Sequence, residues 1–262
     1  MLKLIQARIQ QGHRTMAYPD AAPPPMPDRF RGRPSIDAGQ CPEGCRDCER
    51  ACPTGAITVT DQTRIDLGRC LFCTDCVDAC PQRAIAWTTE YRMAVRRRED
   101  LVVAQDDRGP VLASALDHKL KKLFGRSLKL RQVSAGGCNA CEADVSVLGT
   151  VGWDLGRFGI QFVASPRHAD GLLVTGPVSS NMELALRKTY DAVPDPKIVI
   201  AVGACAIAGG PYIGDEQVRG GADAVVPVDI YVPGCPPHPL TILDGLLRLL
   251  GRIEDGSRKV PA

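Results

Sequence analysis

The sequence predicts an α/β chain in which a small cysteine-rich domain precedes an open, mostly parallel β-sheet. Two observations predict this order. Eight of the twelve cysteines fall between positions 41 and 80, in two groups of similar spacing. From Leu128 onward, strand-length apolar runs alternate with helical patterns, which is typical of a parallel sheet.

Composition argues against several classes of function. The net charge is +2 and aromatic residues make up 5% of the chain, so neither a basic surface nor stacking side chains indicate a nucleic-acid binder. No apolar run approaches the ~20 residues of a membrane span, and the N-terminus has no signal-peptide pattern. We therefore expect a cytoplasmic protein, soluble or peripheral, without a transmembrane segment of its own. In that compartment cysteines bind metals rather than form disulfides.

Residues 1–34 are expected to form an arm. Met1–Gln11 places apolar residues at helical spacing. We interpret it as a helix on a membrane surface or on a partner helix, or as a frayed terminus. The stretch Pro19–Pro34 is proline-rich and should be extended. Such a segment has little core of its own and is suited to wrapping a neighbour.

Residues 35–90 carry the two cysteine groups and are predicted to form the first domain. The second group has the spacing C-x2-C-x2-C-x3-C-P of bacterial ferredoxins, in which the last cysteine binds the sister cluster. The first group repeats it with one inserted residue. The repeat therefore predicts two [4Fe–4S] clusters, one on Cys41, Cys45, Cys48 and Cys80 and one on Cys70, Cys73, Cys76 and Cys52. A pair of zinc sites is the alternative.

Short strands are expected after each cysteine group, at Ala56–Val59 and Ala84–Trp87. Residues 91–126 are predicted to be a linker that begins with a solvated arginine run, Arg96–Arg98. Apolar residues then recur every four positions before Gly125, which predicts an amphipathic helix that ends at this glycine. They are Leu112, Leu116, Leu120 and Phe124.

Residues 127–252 are predicted to form the sheet domain, followed by a polar tail at 253–262. The expected strands are Leu128–Val133, Ile160–Val163, Gly171–Thr175, Ile198–Val202 and Val225–Val232. Two helices are expected, one capped by Asn181 and carrying Met182, Leu186, Tyr190 and Val193 on one side, and one over Leu240–Leu250. The last four cysteines follow strand ends, where open α/β sheets bind ligands, and glycines that permit close backbone approach flank them. They are Cys138, Cys141, Cys205 and Cys235.

All twelve cysteines are thereby used, and four thiolates per cluster give three [4Fe–4S] clusters. A chain of this kind is expected to carry electrons. The scattered group alone would suit structural zinc equally well, so a zinc-stabilised assembly scaffold is a competing hypothesis, and a free soluble carrier is another. The chain lacks a G-x-G-x-x-G fingerprint and is not expected to bind NADH itself.

Five segments of the second domain carry the motifs of a known family. They are Gly137–Glu142, Ser165–Asp170, Val174–Val178, Ala201–Cys205 and Val232–Pro237. In this order they resemble the small iron–sulfur subunit shared by respiratory complex I and the membrane-bound (group 4) NiFe hydrogenases. The ferredoxin half, preceded by Thr15–Pro19 and Arg29–Gly32, is similar to the two-cluster subunit of the same complexes. Here the two are fused.

The resemblance implies a flavodoxin-like fold and a [4Fe–4S] cluster on the last four cysteines. In complex I this cluster faces quinone, and in the hydrogenases it faces the NiFe centre of a large subunit. Complex I members typically carry two adjacent cysteines at the first ligand position. Here two residues separate Cys138 from Cys141, which favours the hydrogenase side. We expect an electron-transfer subunit of a hydrogenase or formate-hydrogenlyase-like complex, on the inner face of the cell membrane. Its partners would be a large subunit and membrane subunits. The alternative is a complex-I-like NADH/ferredoxin:quinone oxidoreductase.

Four further side chains are expected near this third cluster. Glu142 and Asp144 stand where the family usually has two glutamates and are candidate proton relays, Glu142 above all. The structural alternative is an acid that stabilises a helix N-terminus. Arg167 and His168 follow a strand end and are candidates for hydrogen bonding toward the cluster, or for a partner interface. In this interpretation the chain has no complete active site, and catalysis belongs to the assembly.

Overall fold

Two small antiparallel sheets precede one larger parallel sheet along the chain. They are seen in a computed structural model that describes residues 2–12, 14–105, 109, 112–116, 123–124 and 127–253. The element order confirms the α/β class, with a ferredoxin-like part before a parallel sheet. The predicted polar tail lies outside the described residues from position 254 onward.

Short antiparallel ladders hold the first domain together. Its strands are β1 (Pro34–Ile36), β2 (Ile57–Val59), β3 (Thr63–Asp66), β4 (Ile85–Trp87) and β5 (Val102–Ala104). β1 pairs with β4, while β2, β3 and β5 form a second sheet in that order. The strands expected after each cysteine group are confirmed, each one residue shorter than predicted. β5 lies in the stretch predicted as linker, so part of that stretch completes this sheet.

Each cysteine group contains one short helix at the same place in the repeat. These helices are α2 (Asp47–Ala51) and α3 (Asp75–Asp78), and they contact each other. An aspartate begins each helix, where a negative side chain is favourable beside the positive end of the helix dipole. The Cys–Pro steps at Cys52 and Cys80 follow, and proline cannot donate the hydrogen bond that would continue a helix.

The N-terminal arm begins with a helix and then binds the body of the protein. α1 (Leu2–Gln11) forms where the apolar spacing predicts it, and its large apolar side chains are exposed. Beyond it, the Arg157 guanidinium donates to the carbonyls of Met16 and Tyr18, each at 2.6 Å. The arm then continues irregularly to β1. No helix in the described part of the chain is long and apolar enough to span a membrane.

Two of the three linker arginines make internal contacts. The Arg98 guanidinium donates two hydrogen bonds to the Asp66 carboxylate, at 2.8 and 2.7 Å, with both side chains about a quarter exposed. The Arg96 guanidinium donates to the Asp229 carbonyl at 2.7 Å. The prediction of a solvated run is therefore wrong for these two, because each meets an acceptor on a distant segment. Arg97 is exposed, as predicted.

The helix predicted over Leu112–Phe124 is absent from residues 112–116. The backbone there bonds to distant segments, and the Leu116 N–H donates to the Leu249 carbonyl at 2.9 Å. Such bonds replace the i to i−4 bonds of a helix. Packing against the body of the protein therefore overrides the four-residue apolar spacing over residues 112–116. Residues 123 and 124 are helical, as predicted, while Leu120 and Gly125 lie outside the described residues.

Five parallel strands form the sheet of the second domain. They are β6 (Leu128–Ser134), β7 (Ile160–Phe162), β8 (Gly171–Thr175), β9 (Ile198–Val202) and β10 (Ile230–Val232). Their spatial order is β7-β6-β8-β9-β10, and every neighbouring pair is parallel. Counted within the domain this order is 2-1-3-4-5, the flavodoxin-like arrangement. The predicted open parallel sheet is confirmed.

The last strand is shorter than predicted. The apolar run Val225–Val232 forms a strand only over Ile230–Val232. Its first residues turn instead, because two of their N–H groups donate to the Ala222 carbonyl, at 3.0 and 2.9 Å. The Asp229 carboxylate then accepts a hydrogen bond from the Val199 N–H at 2.8 Å, which sets the start of β10 beside β9.

Four helices connect or follow these strands. They are α4 (Ala140–Val147), α5 (Ser180–Ala192), α6 (Ala204–Ala208) and α7 (Pro239–Leu249). α5 and α7 confirm the two predicted helices. α5 is capped by Ser179 rather than Asn181 and so begins two residues earlier than expected, and α7 begins one residue earlier. α7 is buried along its length, with Asp244 and Arg248 paired at 2.7 Å. The Tyr18 hydroxyl donates to the same carboxylate at 2.7 Å and anchors the arm to this helix.

One apolar core runs through both domains. It includes Leu67 of the first domain and Ile207 and Tyr231 of the second, all at most 7% exposed. Backbone hydrogen bonds between Val95 and Tyr231, at 3.0 and 2.9 Å, join the domains at the same place. Gly68 permits the approach, since a Cβ there would lie 2.7 Å from the Ile207 side chain. The two domains are therefore fixed against each other.

Candidate iron–sulfur centres

Four cysteines from both groups of the repeat line one cavity, which we name the inner site. They are Cys52, Cys70, Cys73 and Cys76. The cavity spans about 350 Å³ of space, part of it open to solvent, and most of its other lining is apolar, Ile65 and Trp87 included. Cys52 comes from the first group, and its Cys–Pro step carries the thiol across to the second, as the ferredoxin spacing predicts.

The other four cysteines of the repeat line a second cavity, which we name the outer site. They are Cys41, Cys45, Cys48 and Cys80, around about 330 Å³ of empty space. Cys41 reaches this site despite the inserted residue, and its Sγ lies 3.8 Å from the Thr63 hydroxyl. An acid also lines the site, since the Asp47 carboxylate lies 3.6 Å from the Cys45 Sγ.

Backbone N–H groups bind the crossing thiols at equivalent places of the repeat. The Ala56 N–H donates to the Cys52 Sγ at 3.2 Å, and the Ala84 N–H donates to the Cys80 Sγ at 3.3 Å. A residue in the left-handed region precedes each alanine. These residues are Gly55 (φ 59°) and Arg83 (φ 52°). Such donors favour the thiolate, which is the form that binds metal.

Burial makes these thiols hard to ionise without a bound metal. Burial, together with the charges of neighbouring cysteines, raises the pKa of Cys70 and of Cys76 to about 12. It also raises the pKa of Cys48 and Cys73. The positive charge of a metal centre must therefore displace the thiol protons, so binding releases protons.

The last four cysteines meet at the carboxyl edge of the parallel sheet, at what we name the third site. Its ligand candidates are Cys138 after β6, Cys141 in α4, Cys205 in α6 and Cys235 after β10. Two glycines make room for sulfur atoms. A Cβ on Gly203 would lie 2.5 Å from the Cys141 Sγ, and one on Gly210 would lie 2.5 Å from the Cys205 Sγ. Burial, and then the charges of Cys235 and Cys138, raise the pKa of Cys205 to about 11, so these thiols are close neighbours.

The three sites follow one another through the molecule. Burial raises the pKa of Cys235 first, and the charges of Cys138 and of Cys73 in the inner site raise it further. In the same way the pKa of Cys76 in the inner site is raised by burial and also by Cys48 in the outer site. The inner site therefore lies between the outer and the third sites.

Glu142 and Asp144 lie on α4 beside the third site but in different surroundings. Glu142 is buried, and its Oε1 accepts hydrogen bonds from the Ser134 hydroxyl (2.6 Å) and the Thr175 hydroxyl (2.7 Å). Burial acts to raise the pKa of Glu142, but these two donors outweigh it and lower the pKa. Burial raises the pKa of Asp144. The buried Glu142 is thus held as a carboxylate next to Cys141.

Arg167 and His168 lie on the surface near the end of β7. Both belong to a single 3-10 turn, Pro166–His168, and both side chains are exposed. Their exposure suits the interface interpretation, while hydrogen bonding toward the third site stays a prediction.

The arrangement of the thiols bears on which metal group fits. Zinc–thiolate bonds are about 2.3 Å long, so four thiolates around one zinc converge on a point. In the inner and outer sites the thiols instead surround a cavity. At the third site, glycines hold the backbone clear of the sulfur atoms. This geometry suits a cluster of several atoms.

Two side chains that line these sites are not among the site residues predicted from the sequence. Trp87 lines the inner site and Thr63 lines the outer site, although neither lies within a cysteine group. The repeat carries a signal for the first, because Trp87 follows Cys80 by the same number of residues as Val59 follows Cys52. The sequence holds no comparable signal for Thr63.

Two known families match the chain. Residues 138–249 match the family described as NADH ubiquinone oxidoreductase, 20 kDa subunit, and residues 40–84 match the 4Fe–4S dicluster domain. All twelve cysteines fall within these two ranges.

Curated relatives match about half of the chain. The probable membrane-bound hydrogenase subunit mbhJ of Pyrococcus furiosus is 42% identical over 135 residues, which are 52% of this chain and 81% of that protein. Formate hydrogenlyase subunit 7 of Escherichia coli is 44% identical over 141 residues, 54% of this chain and 55% of that protein. The chain thus spans little more than half the length of the second relative.

A solved structure is also similar. A chain of the membrane-bound sulfane sulfur reductase, an archaeal respiratory membrane complex, is 34% identical, with a TM-score of 0.46 over 54% of this chain and 78% of that chain. The identity to mbhJ over four-fifths of its length agrees with the family match and with the flavodoxin-like strand order. The chain therefore belongs to the family of the 20 kDa subunit of NADH ubiquinone oxidoreductase, with a 4Fe–4S dicluster domain ahead of it.

Proposed function

We propose that this chain is the iron–sulfur electron-transfer subunit of a membrane-associated hydrogenase or formate-hydrogenlyase-like complex. The outer, inner and third sites each hold one [4Fe–4S] cluster, on the twelve cysteines assigned above. Electrons pass between these sites and a catalytic centre on a partner large subunit. The observation that carries the proposal is the proximity of Cys73 to Cys235, because it links the two-site ferredoxin domain to the third site.

A [4Fe–4S] cluster, when bound, supplies reversible one-electron transfer at a potential set by its surroundings. The residues of the chain hold and insulate these sites. Twelve cysteines supply four thiolates to each site, and the Ala56 and Ala84 N–H groups stabilise two of them. Trp87 lines the inner site, and its ring packs on Phe72 with the ring centroids 5.6 Å apart. The shared core fixes the distance between the inner and third sites.

The third site is the exit toward the partner. Cys138 and Cys235 are exposed, whereas Cys141 and Cys205 are partly buried. A large subunit that covers this edge brings its catalytic centre next to the third site. Glu142, a carboxylate beside Cys141, is the first candidate for a proton relay there. Asp144 is the second, since its raised pKa brings proton exchange nearer to neutral pH.

The spacing of the third site favours the hydrogenase side of the family. Cys138 and Cys141 are separated by two residues, and the named relatives include a probable membrane-bound hydrogenase subunit and a formate hydrogenlyase subunit. A complex-I-like quinone oxidoreductase is the second candidate, supported by the family description itself. In either case Arg167 and His168 are proposed interface residues, and membrane subunits on the inner face of the cell membrane complete the assembly.

Metal analysis of the native complex tests this function. The complex is isolated anaerobically from membranes through this chain, and iron, nickel and zinc are measured together. We expect about twelve iron atoms per chain, from four per cluster, together with nickel from the partner. Iron without nickel would move the assignment to the quinone-type candidate. Zinc in place of iron would overturn electron transfer.

A further inference from the structure

One buried donor of the first domain has no acceptor. Among the described residues, the indole Nε1 of Trp87 is buried and makes no hydrogen bond. A buried N–H without an acceptor is destabilising, because it loses its hydrogen bond to water and gains none in the protein, so such a group in a folded protein calls for a partner. Trp87 is the last residue of β4, is paired with Pro34 of β1, and packs on the Phe72 ring.

The lining of the inner site offers this donor few acceptors other than sulfur. Trp87 lines the cavity together with the four cysteines and with apolar side chains such as Ile57, Ile65 and Leu71. The polar side chain of the lining is Thr54, whose hydroxyl already donates to the Arg69 carbonyl at 2.7 Å. The Phe72 carbonyl, in the loop between Cys70 and Cys73, accepts from the Arg31 guanidinium at 2.7 Å.

We propose that the Trp87 indole N–H donates a hydrogen bond to a sulfur atom of the cluster in the inner site and raises the reduction potential of that site. The inference rests on the proposed function, because it requires a cluster on Cys52, Cys70, Cys73 and Cys76. Hydrogen bonds to cluster sulfurs stabilise the reduced, more negative state, and so they shift the potential upward.

The repeat makes this device specific to the inner site. Val59 occupies the position of Trp87 in the other half, seven residues after the crossing cysteine, and its side chain has no polar hydrogen to donate. The Trp87 bond would therefore raise the inner potential relative to the outer one. An inner site with the higher potential draws electrons away from the outer site and toward the third site, whose Cys235 is within electrostatic reach of Cys73.

The test compares Trp87→Phe with the wild-type chain in the purified complex. Phenylalanine keeps an aromatic ring against Phe72 and removes the N–H. Potentials are measured by redox titration with EPR detection, and Cys73→Ser identifies the signal of the inner site. Trp153→Phe is the matched control, because it makes the same change at the other tryptophan of the chain. Incorporation of 3-benzothienylalanine at position 87 keeps the indole shape without the N–H.

We expect the inner potential to become more negative in Trp87→Phe and in the benzothienyl variant, with the other two potentials unchanged. An exchangeable proton coupling to the reduced inner cluster, seen by ENDOR in the wild type, should disappear in both. A full iron content with an unchanged inner potential would overturn this inference alone. Loss of iron in Trp87→Phe, with an unchanged potential in the benzothienyl variant, would overturn it in favour of a packing role. Wild-type chain without iron in the inner site would overturn the proposed function as well.

Discussion

The inner and outer sites come from one sequence repeat but differ in their surroundings. In the inner site Cys70 and Cys76 are buried, and Trp87 lines the cavity with its ring packed on Phe72. In the outer site only Cys48 is buried. An aspartate at the same place of the repeat acts on a thiol in each site, Asp47 on Cys45 and Asp75 on Cys73. The comparison teaches that the repeat sets the ligands and their acids, while the residues that differ between its halves set solvation and hydrogen bonding.

These differences act on the potentials in opposite directions. Burial disfavours the more negative reduced cluster and lowers the inner potential, whereas water around the more exposed outer site screens an added electron. The hydrogen-bond donors of the inner site raise its potential: the Ala56 N–H, the Phe72 N–H, which donates to the Cys70 Sγ at 3.3 Å, and the proposed Trp87 bond. We expect these donors to outweigh burial and to place the inner potential above the outer one, and four predictions test this comparison.

The crossing of the ligands gives the largest expected effect. Cys52→Ala should remove the inner cluster and leave the outer one, although Cys52 lies in the first cysteine group. Cys80→Ala should do the reverse. Each variant should lose about four iron atoms, measured by iron analysis with EPR of the remaining signals. If each substitution abolished the site of its own group instead, the crossed assignment would be wrong.

Gly55 and Arg83, which have left-handed backbone at equivalent places of the repeat, give smaller effects on stability, opposite in sign. Gly55→Ala places a side chain at φ 59°, where the nearest atom is 3.8 Å from the new Cβ, so the cost is conformational, about 1 kcal/mol. Arg83 has the same backbone conformation, at φ 52°, and Arg83→Gly removes the strain of a side chain there. The folded state should be stabilised by up to about 1 kcal/mol, reduced by the free energy lost because glycine gives the unfolded chain more entropy. Anaerobic thermal unfolding should therefore show melting temperatures that move in opposite directions. Shifts of the same sign would contradict the equivalence of the two turns.

The acid of the outer site gives a still smaller effect. Asp47→Asn should raise the outer potential by about 20–40 mV, since a screened charge at this range is worth at most about 1 kcal/mol. The inner potential should not move, and a redox titration measures both. Glu43→Gln is the control, because Glu43 is an exposed acid in the same cysteine group. An equal shift in both variants would indicate a general charge effect.

Two threonines give the smallest effect. Thr63 and Thr54 each place a hydroxyl 3.8 Å from a cysteine sulfur, one in each site. The Thr54 hydroxyl already donates to the Arg69 carbonyl. Thr63→Val should therefore lower the outer potential by about 20 mV, from a weak hydrogen bond of about 0.5 kcal/mol. Thr54→Val should leave the inner potential unchanged, and a shift there would mean that both hydroxyls reach sulfur.

Local patterns in the sequence predict most of the fold. The alternation of strands and helices predicts the parallel sheet, and the repeat predicts which thiols share a cavity. Both patterns are short in range, since spacers of two or three residues determine where a thiol can reach. The helix expected over Leu112–Phe124 is not formed at residues 112–116, where the Leu116 backbone bonds to Leu249, far away in the sequence. No local pattern contains that contact.

The arrangement of the sites depends on the same kind of distant contact. The proximity of Cys73 to Cys235 follows from how two domains pack, which cysteine spacing does not encode. The run Val225–Val232 shows that β-branched apolar residues alone do not fix the bounds of a strand, because such residues pack on a core from a turn as well as from a strand. Trp87 could be aligned with Val59 by the repeat, but its orphaned N–H requires the packed structure.

The joined core of the two domains also changes how the assembly is put together. When two redox units lie on separate chains, their docking depends on how much of each is present. On one chain each unit sees its neighbour at an effective concentration of about a millimolar or more, and the Val95–Tyr231 pairing completes that docking within the fold. Translation therefore guarantees equal numbers of the two units, and no partly assembled complex can hold the ferredoxin sites without the third.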